Sequence, residues 1–378
     1  MATSFEDLSI KLLWTIASFC DFTTLKALSS TSCRYRIFLA KFVPKRVVFS
    51  ACDIRVSSQL EEFLLADVSL FKNLDPYSTI RSATFFIGPI SAADGSGLEQ
   101  SLPPPPKSEV SILPSQICRS IQVMGSLKSL TLELQRFSPE QGQRFCQSMQ
   151  TVQPPVLYLR VNGTLPIIES ILRHCFQLEA LHISRVVRSG NFNNIMAEVK
   201  FPRDIQRLAI VLAVDLHTTG VRVPSFRCDL ISKITHKFEN LTELILHEAT
   251  YDYEPFDLPH PTGQRLRAAF RVVLRRAIGE LRGLRNLKRL AITIWRTVVR
   301  SIYPRNSLDR MDRRNDKFYR ACISVIGSKM PWLDQVAILT EFPIYWDGHR
   351  RDPEGMHIRR KSLDANHDSF PATVTKGY

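Results

Sequence analysis

No apolar run in the 378 residues reaches the roughly eighteen needed to span a bilayer, so no transmembrane helix is expected. The first residues carry Glu6 and Asp7 and no basic stretch ahead of an apolar core, which argues against a secretory signal. Cysteine is sparse and scattered, with eight residues at positions 20, 33, 52, 118, 146, 175, 228 and 322. None forms a CxxC pair, so a zinc knuckle and a thioredoxin-type site are both unsupported. Lone cysteines without a signal read as buried thiols in a reducing compartment, hence an intracellular protein, cytoplasmic or nuclear. Catalytic signatures are missing too. There is no GxGxxG after a strand, no P-loop and no GxSxG elbow. His247-Glu248 lacks the second His of a zinc-protease helix, and His174 and His182 straddle a predicted helix-to-strand boundary. Carboxylates occur singly, with no paired acid–base site. The expectation is no enzyme, no metal and no cofactor.

What is present is a globular composition, with 44% hydrophobic and 23% charged residues. The net charge of +14 is concentrated in one block. From Arg265 to Arg320 there are 17 Lys or Arg against 4 acids (Glu280, Asp309, Asp312 and Asp316), a local net of +13, and the first 260 residues are close to balanced.

The stretch from Phe5 to Arg46 has its own pattern. Leu8, Leu12, Leu13, Ile16 and Phe19 recur at three- and four-residue spacing, which places them on one side of a helix. Asp21 or Thr23 can cap a second short helix carrying Leu25 and Leu28, and a third through Arg34, Tyr35, Ile37, Phe38 and Leu39 is stopped by Pro44. Such a unit is too small to stand alone and must pack on the rest of the chain, on a partner, or on both. Leu8-x3-Leu12-Leu13-x2-Ile16, Leu25-x2-Leu28-Ser29 and Thr31-Ser32-x-Arg34 together resemble an F-box, with Ser9 where that family usually has Pro. The resemblance implies docking on the Skp-family adaptor of a cullin–RING ubiquitin ligase. Leu8, Leu12, Leu13, Ile16, Leu25 and Leu28 would be the adaptor-binding residues.

Beyond Val47-Val48-Phe49, a β-favouring run, Ser57–Asn73 reads as a helix, and 91–108 with its four prolines reads as a surface loop. Then a repeat emerges. Leu127-x2-Leu130-x-Leu132 returns at Leu178/Leu181/Ile183, Ile205/Leu208/Ile210, Leu241/Leu244/Leu246, Leu287/Leu290/Ile292 and Leu333/Val336/Ile338. Ile80/Ala83/Phe85 and Pro154/Leu157/Leu159 are degenerate copies, and Met124, Phe238, Leu284 and Met330 stand three places before an anchor. Each triplet fits a short strand with one face inward. The intervening stretches fit helices: Pro114–Met124, Ser138–Gln150, Leu165–Cys175, Phe226–Phe238, Gln264–Leu281 and Asn315–Met330. One strand and one helix per unit give an α/β fold with parallel strands and helices on one side. From Thr79 to Thr340 this is similar to an irregular leucine-rich-repeat solenoid, with that family's turn Asn matched only at Asn162. The expected organisation is an F-box-like unit at 5–46, a repeat domain at 47–342 and a disordered polar tail at 343–378.

In such a solenoid the residues beside the buried strand positions point away from the helices: Glu133, Tyr158, Arg160, His182, Arg207, Glu243, His247, Arg289 and Thr293. Arg267, Arg271 and Arg275 share a side of the Gln264–Leu281 helix, where like charges four apart weaken it slightly. Either that side is simply solvated, or it meets an acidic or phosphorylated partner. Tyr158, Arg160, His182, Arg289, Arg267, Arg271 and Arg275 are therefore the substrate-binding candidates. Two functions follow. The resemblance to fungal F-box/leucine-rich-repeat receptors implies a substrate-recognition subunit of a ubiquitin ligase. The alternative is a basic scaffold or nucleic-acid-binding solenoid using Arg265–Arg320, with Trp295, Tyr303, Phe318 and Tyr319 for stacking.

Overall fold

The computed structural model describes residues 12–13, 15–16, 24, 28, 31–32, 35, 46–65, 76–88, 112–187, 199–213, 228–249, 263–294, 308–340, 344–351 and 355–362. Within these, the backbone alone is described for 76, 185–187, 212–213, 228–229, 248–249, 263–270, 308–315, 344 and 362. The loop expected at 91–108 and the helix end expected at 66–73 lie outside the described residues.

The described chain is α/β, a mostly parallel sheet of eleven strands with seven helices among the described residues. In order these are β1 (Arg46–Ala51), α1 (Asp53–Leu65), β2 (Ser82–Ile87), α2 (Leu113–Val123), β3 (Ser129–Glu133), α3 (Pro139–Met149), β4 (Tyr158–Asn162) and α4 (Leu165–His174). Then come β5 (Ala180–Val187), β6 (Arg207–Ala213), α5 (Cys228–Lys237), β7 (Glu243–Ala249), α6 (Gly263–Leu281), β8 (Arg289–Thr293), α7 (Leu308–Lys329), β9 (Gln335–Leu339), β10 (Ile344–Arg351) and β11 (Gly355–Ser362). Strand order in the sheet follows chain order. The chain divides into two compact units, Met1–Tyr158 with Pro166–Phe176, and Leu159–Leu165 with Gln177–Tyr378.

In the first unit β1, β2 and β3 are parallel and in register, Phe49 beside Phe85 and Ala83 beside Leu130. The Phe49 and Phe85 rings stack at 5.1 Å, and Phe63 of α1 meets Phe49 edge-on at 5.2 Å, which ties the helix to the strands. Ser138 caps α3 reciprocally with Gln141, and Pro139 begins it where no backbone donor is needed.

A single turn recurs at four of the handovers from helix to strand. The N–H of Leu127, Leu241, Leu287 and Leu333 bonds the carbonyl three residues earlier, at Met124 (3.0 Å), Phe238 (3.4 Å), Leu284 (3.3 Å) and Met330 (3.1 Å). All eight side chains are buried, so the apolar residue before each anchor is a packing requirement of that turn. After the anchor, two successive N–H groups share one carbonyl of the preceding unit. Lys128 and Ser129 bond Arg81, Gln206 and Arg207 bond Glu179, Thr242 and Glu243 bond Gln206, Lys288 and Arg289 bond Thr242, and Asp334 and Gln335 bond Lys288, at 2.8–3.1 Å. The units are therefore structurally in phase.

That phase corrects one copy. Leu157 and Tyr158 bond the Lys128 carbonyl, so Leu157 holds the place of Lys128 and the anchor before it is Val156. The triplet is Val156/Leu159/Val161, all buried, two residues later than Pro154/Leu157/Leu159. The other expected triplets are buried as read, at 0–5% exposure.

The sheet does not stop at residue 342. Composition predicts a disordered tail, yet β10 pairs antiparallel with β9, and β11 antiparallel with β10. Trp346 explains the difference. It is fully buried, with its ring 4.2 Å from that of Tyr319 on α7, and its Nε1–H donates to Asp316 Oδ1 at 2.8 Å. Arg320 Nε donates to the other oxygen of Asp316 at 2.7 Å. Burial opposes the Asp316 charge, but these hydrogen bonds outweigh it and hold its carboxyl below the usual range. Arg350 adds hydrogen bonds to the Gly327 (2.8 Å) and Leu333 (2.9 Å) carbonyls, closing the end of α7. α7 itself begins seven residues before the expected Asn315, with Leu308 and Met311 the only apolar residues among the charged ones of its first two turns.

Candidate functional site

The register of the second unit sorts its strand residues onto two faces. Leu208, Leu244, Leu290, Val336 and Gly348 share one face, the one packed on α7 through Gly348 and Trp346. Ala209, Ile245, Ala291, Ala337 and Asp347 align on the opposite face. That opposite face was expected to be open. Ala209, Ile245, Ala291, Ala337, Leu339 and Tyr345 instead form a buried cluster at 0–5% exposure, and Thr293 is 2% exposed. Glu133 in the first unit is also buried, at 8%. A solenoid pattern predicts which way a side chain points, not whether other parts of the chain cover it.

Polar residues on this face are largely tied to one another. Arg207, Glu243, Arg289 and Gln335 lie side by side across four strands. Arg289 forms an ion pair with Glu243. Burial lowers the Arg289 pKa, and the neighbouring Arg207 lowers it further. Asp347 is fully buried and accepts from Gln335 Nε2 and His349 Nε2, both at 2.8 Å, and from Lys361. Burial depresses His182 to about 3, with Arg160 and His247 adding to it, and burial alone takes His247 to about 4. Both imidazoles are thus neutral at ordinary pH. His247 Nδ1 is 3.0 Å from Thr293 Oγ1, and the His182 Nε2 atom is buried without a hydrogen-bond partner. Of the expected contact residues, Arg160 and His182 come together here, and Arg289 is engaged with Glu243. Tyr158 is 37% exposed at the start of β4.

The helical side differs. Arg271 and Arg275 of α6 are exposed, as are Arg276, Arg282 and Arg285, whereas Leu274, Ala277, Ile278 and Leu281 are buried at 0–5%. The side chain of Arg267 lies outside the described residues. Arg285 sits over the Trp332 ring at 5.6 Å, and Trp332 Nε1–H donates to the Leu284 carbonyl at 3.2 Å. Of the aromatics proposed for base stacking, Tyr319 is fully buried against Trp346, Phe318 is half-buried, and Trp295 and Tyr303 lie outside the described residues. Sequence reasoning missed the Asp347 and Trp346 clusters. Their one signal was Tyr345-Trp346, an aromatic pair at odds with a disordered tail.

At the N-terminus Leu12, Leu13, Ile16 and Leu28 have helical backbone. Leu13 is 5% exposed, Leu12 is 50% exposed, and Ile16 and Leu28 are half-buried. Tyr35 N–H donates to Ser32 Oγ at 3.2 Å, as at a helix start. Leu8 and Leu25 lie outside the described residues, so the expected three-helix unit is described only at these points. In the first unit a shallow groove of about 450 Å³ is lined by Val48, Phe49, Gln59, Glu62 and Phe63.

Among the described residues no group of three or more His, Cys, Asp or Glu is placed to hold a metal ion, and no helix is long and apolar enough to cross a membrane. Burial pushes the thiols of Cys118, Cys175 and Cys322 up to about 12, far from reactive thiolates. The molecule thus defined is an α/β protein with a mostly parallel sheet whose last described strands form an antiparallel hairpin. No family model matches the chain, and no curated protein is significantly similar to it.

Proposed function

We propose that the chain is the substrate-recognition subunit of an SCF-type cullin–RING ubiquitin ligase. The N-terminal segment docks on the Skp-family adaptor, and the strand–helix units hold a protein substrate. The observation that carries this reading is Leu12, half exposed beside the buried Leu13 in the segment whose spacing resembles an F-box. A half-exposed leucine at that position is what an adaptor surface would cover further, and full burial of a leucine is worth about 1.5–3 kcal/mol. The repeating strand–helix units supply the surface on which a substrate would be held. Their part is proximity, since holding a substrate lysine near the ligase's catalytic subunit removes much of the entropic cost of encounter.

The test is capture of purified Skp-family adaptor by the full chain. Leu12→Asp is expected to reduce capture at least tenfold while leaving the melting temperature unchanged, because the position is half exposed. Leu13→Asp is the poorer probe, since Leu13 is buried and its replacement would disturb folding. Wild-type capture by the Leu12→Asp chain would sink the assignment.

A further inference from the structure

We propose that the arginine-lined side of α6 and the turn after it form a docking surface for an acidic peptide segment of a protein partner. This rests on the substrate-receptor reading and says where, and by what chemistry, the substrate is held.

The sheet face opposite the helices is a poor candidate in the second unit. Ala209, Ile245, Ala291 and Ala337 are already buried in the isolated chain, and Glu243, Arg289 and Asp347 are engaged with one another or with their neighbours. An incoming segment would have to displace contacts the protein already makes. Among the described residues no salt bridge engages Arg271, Arg275 or Arg282 of α6 and the turn after it. With 100° between successive residues, Arg271, Arg275 and Arg282 fall within a sector of about 40°, and eleven residues of rise spread them over about 16 Å. An extended peptide covers that length with about five residues. All three are exposed, as are Arg276 and Arg285 beside them. Between 271 and 288 there are six basic residues and one acid, the half-buried Glu280.

Two features mark this side as more than a solvated helix face. Every exposed cation from Arg271 to Arg285 is arginine, whose planar fork grips carboxylates and phosphates bidentately. Arg285 is also held in place by Trp332, itself anchored to the Leu284 carbonyl, so part of the ordering cost of binding is met beforehand. Val272, 48% exposed one residue from Arg271, offers an apolar contact at the edge. A nucleic acid fits less well, because of the two described stacking candidates Tyr319 is fully buried and Phe318 is half-buried, edge-on to the Tyr319 ring at 5.7 Å.

The experiment uses the full chain and fluorescence anisotropy. The probes are two fluorescein-labelled peptides of about eight residues, one rich in Asp and Glu and one carrying phosphoserines, plus a single-stranded RNA of matched charge. Wild type should bind at least one peptide saturably. Arg271→Glu, Arg275→Glu and Arg282→Glu together should weaken it about tenfold or more, with the triple Gln variant between. Melting temperature and adaptor capture should match wild type in both variants. Which peptide binds better decides between carboxylate and phosphate as the recognised group. The proposal is overturned if neither peptide binds, if the Glu variant binds as wild type does, or if the RNA binds more tightly than both peptides. If the wild-type chain binds peptide but captures no adaptor, the receptor reading fails and the docking surface stands.

Discussion

Adding one methyl group at Gly348 tests whether the C-terminal hairpin is part of the packed core. Gly348 lies on β10 opposite Val336, facing α7. A Cβ built there would come within 2.5 Å of Ile323 Cγ2, 3.4 Å of Met356 Cε and 3.5 Å of the Val336 carbonyl. Ile323 is fully buried, and both neighbouring strands are hydrogen-bonded, so neither the side chain nor the backbone can yield cheaply. Overpacking of this kind costs about 1–3 kcal/mol. In a unit of about 200 residues each kcal/mol lowers the melting temperature by about 2–4 °C, so Gly348→Ala should lose roughly 2–12 °C. Thermal melts and urea titrations of the full chain give the number. Ile323→Ala removes the clashing methyl at the cost of a cavity, so the double variant should lose less than the two single losses added. A Gly348→Ala melt within a degree of wild type would refute the packing, since a solvent-exposed tail would not register the change.

Two further outcomes follow from the same geometry. Gly279, exposed on α6 with nothing within 4 Å of a built Cβ, should accept alanine with a gain of about 0.5–1 kcal/mol, read from the same melts, and a loss there would mean an unseen contact. His182 and His247 are held neutral in the fold, at about 3 and about 4. The unfolded chain protonates both near pH 6.5, so their contribution is full above that pH and is lost as pH falls from 6.5 toward 4. The loss is on the order of a few kcal/mol, and replacing both by Asn should flatten it relative to wild type. Parallel slopes for the two proteins between pH 6.5 and 4 would exclude these histidines as its source.

Much of the strand–helix succession was legible because its signal is local. An anchor leucine, a buried pair two apart and an apolar residue three places before are all consequences of one turn, and every copy of that turn must be apolar. The misplaced copy shows the limit. In Pro154-Pro155-Val156-Leu157-Tyr158-Leu159-Arg160-Val161 two frames fit the triplet, and a shared carbonyl from the previous unit, at Lys128, selects between them. The hairpin was hidden for a related reason. Asp347, His349, Arg350, Arg359, Arg360 and Lys361 make it polar by composition, yet Asp347 is satisfied by Gln335, His349 and Lys361, and Arg350 by carbonyls closing α7.

From its residues alone the chain determines the phase of every unit but the one at 154–161, the faces of its strands and the arginine-rich side of α6, because each depends on spacing along a single helix or strand. Whether a face is open to a partner depends on what the rest of the chain lays against it. Periodicity therefore marked Glu133 and Thr293 as facing away from the helices, and only the tertiary structure decided that they are buried. Burial is a property of contacts between residues distant in sequence, and no local pattern carries it.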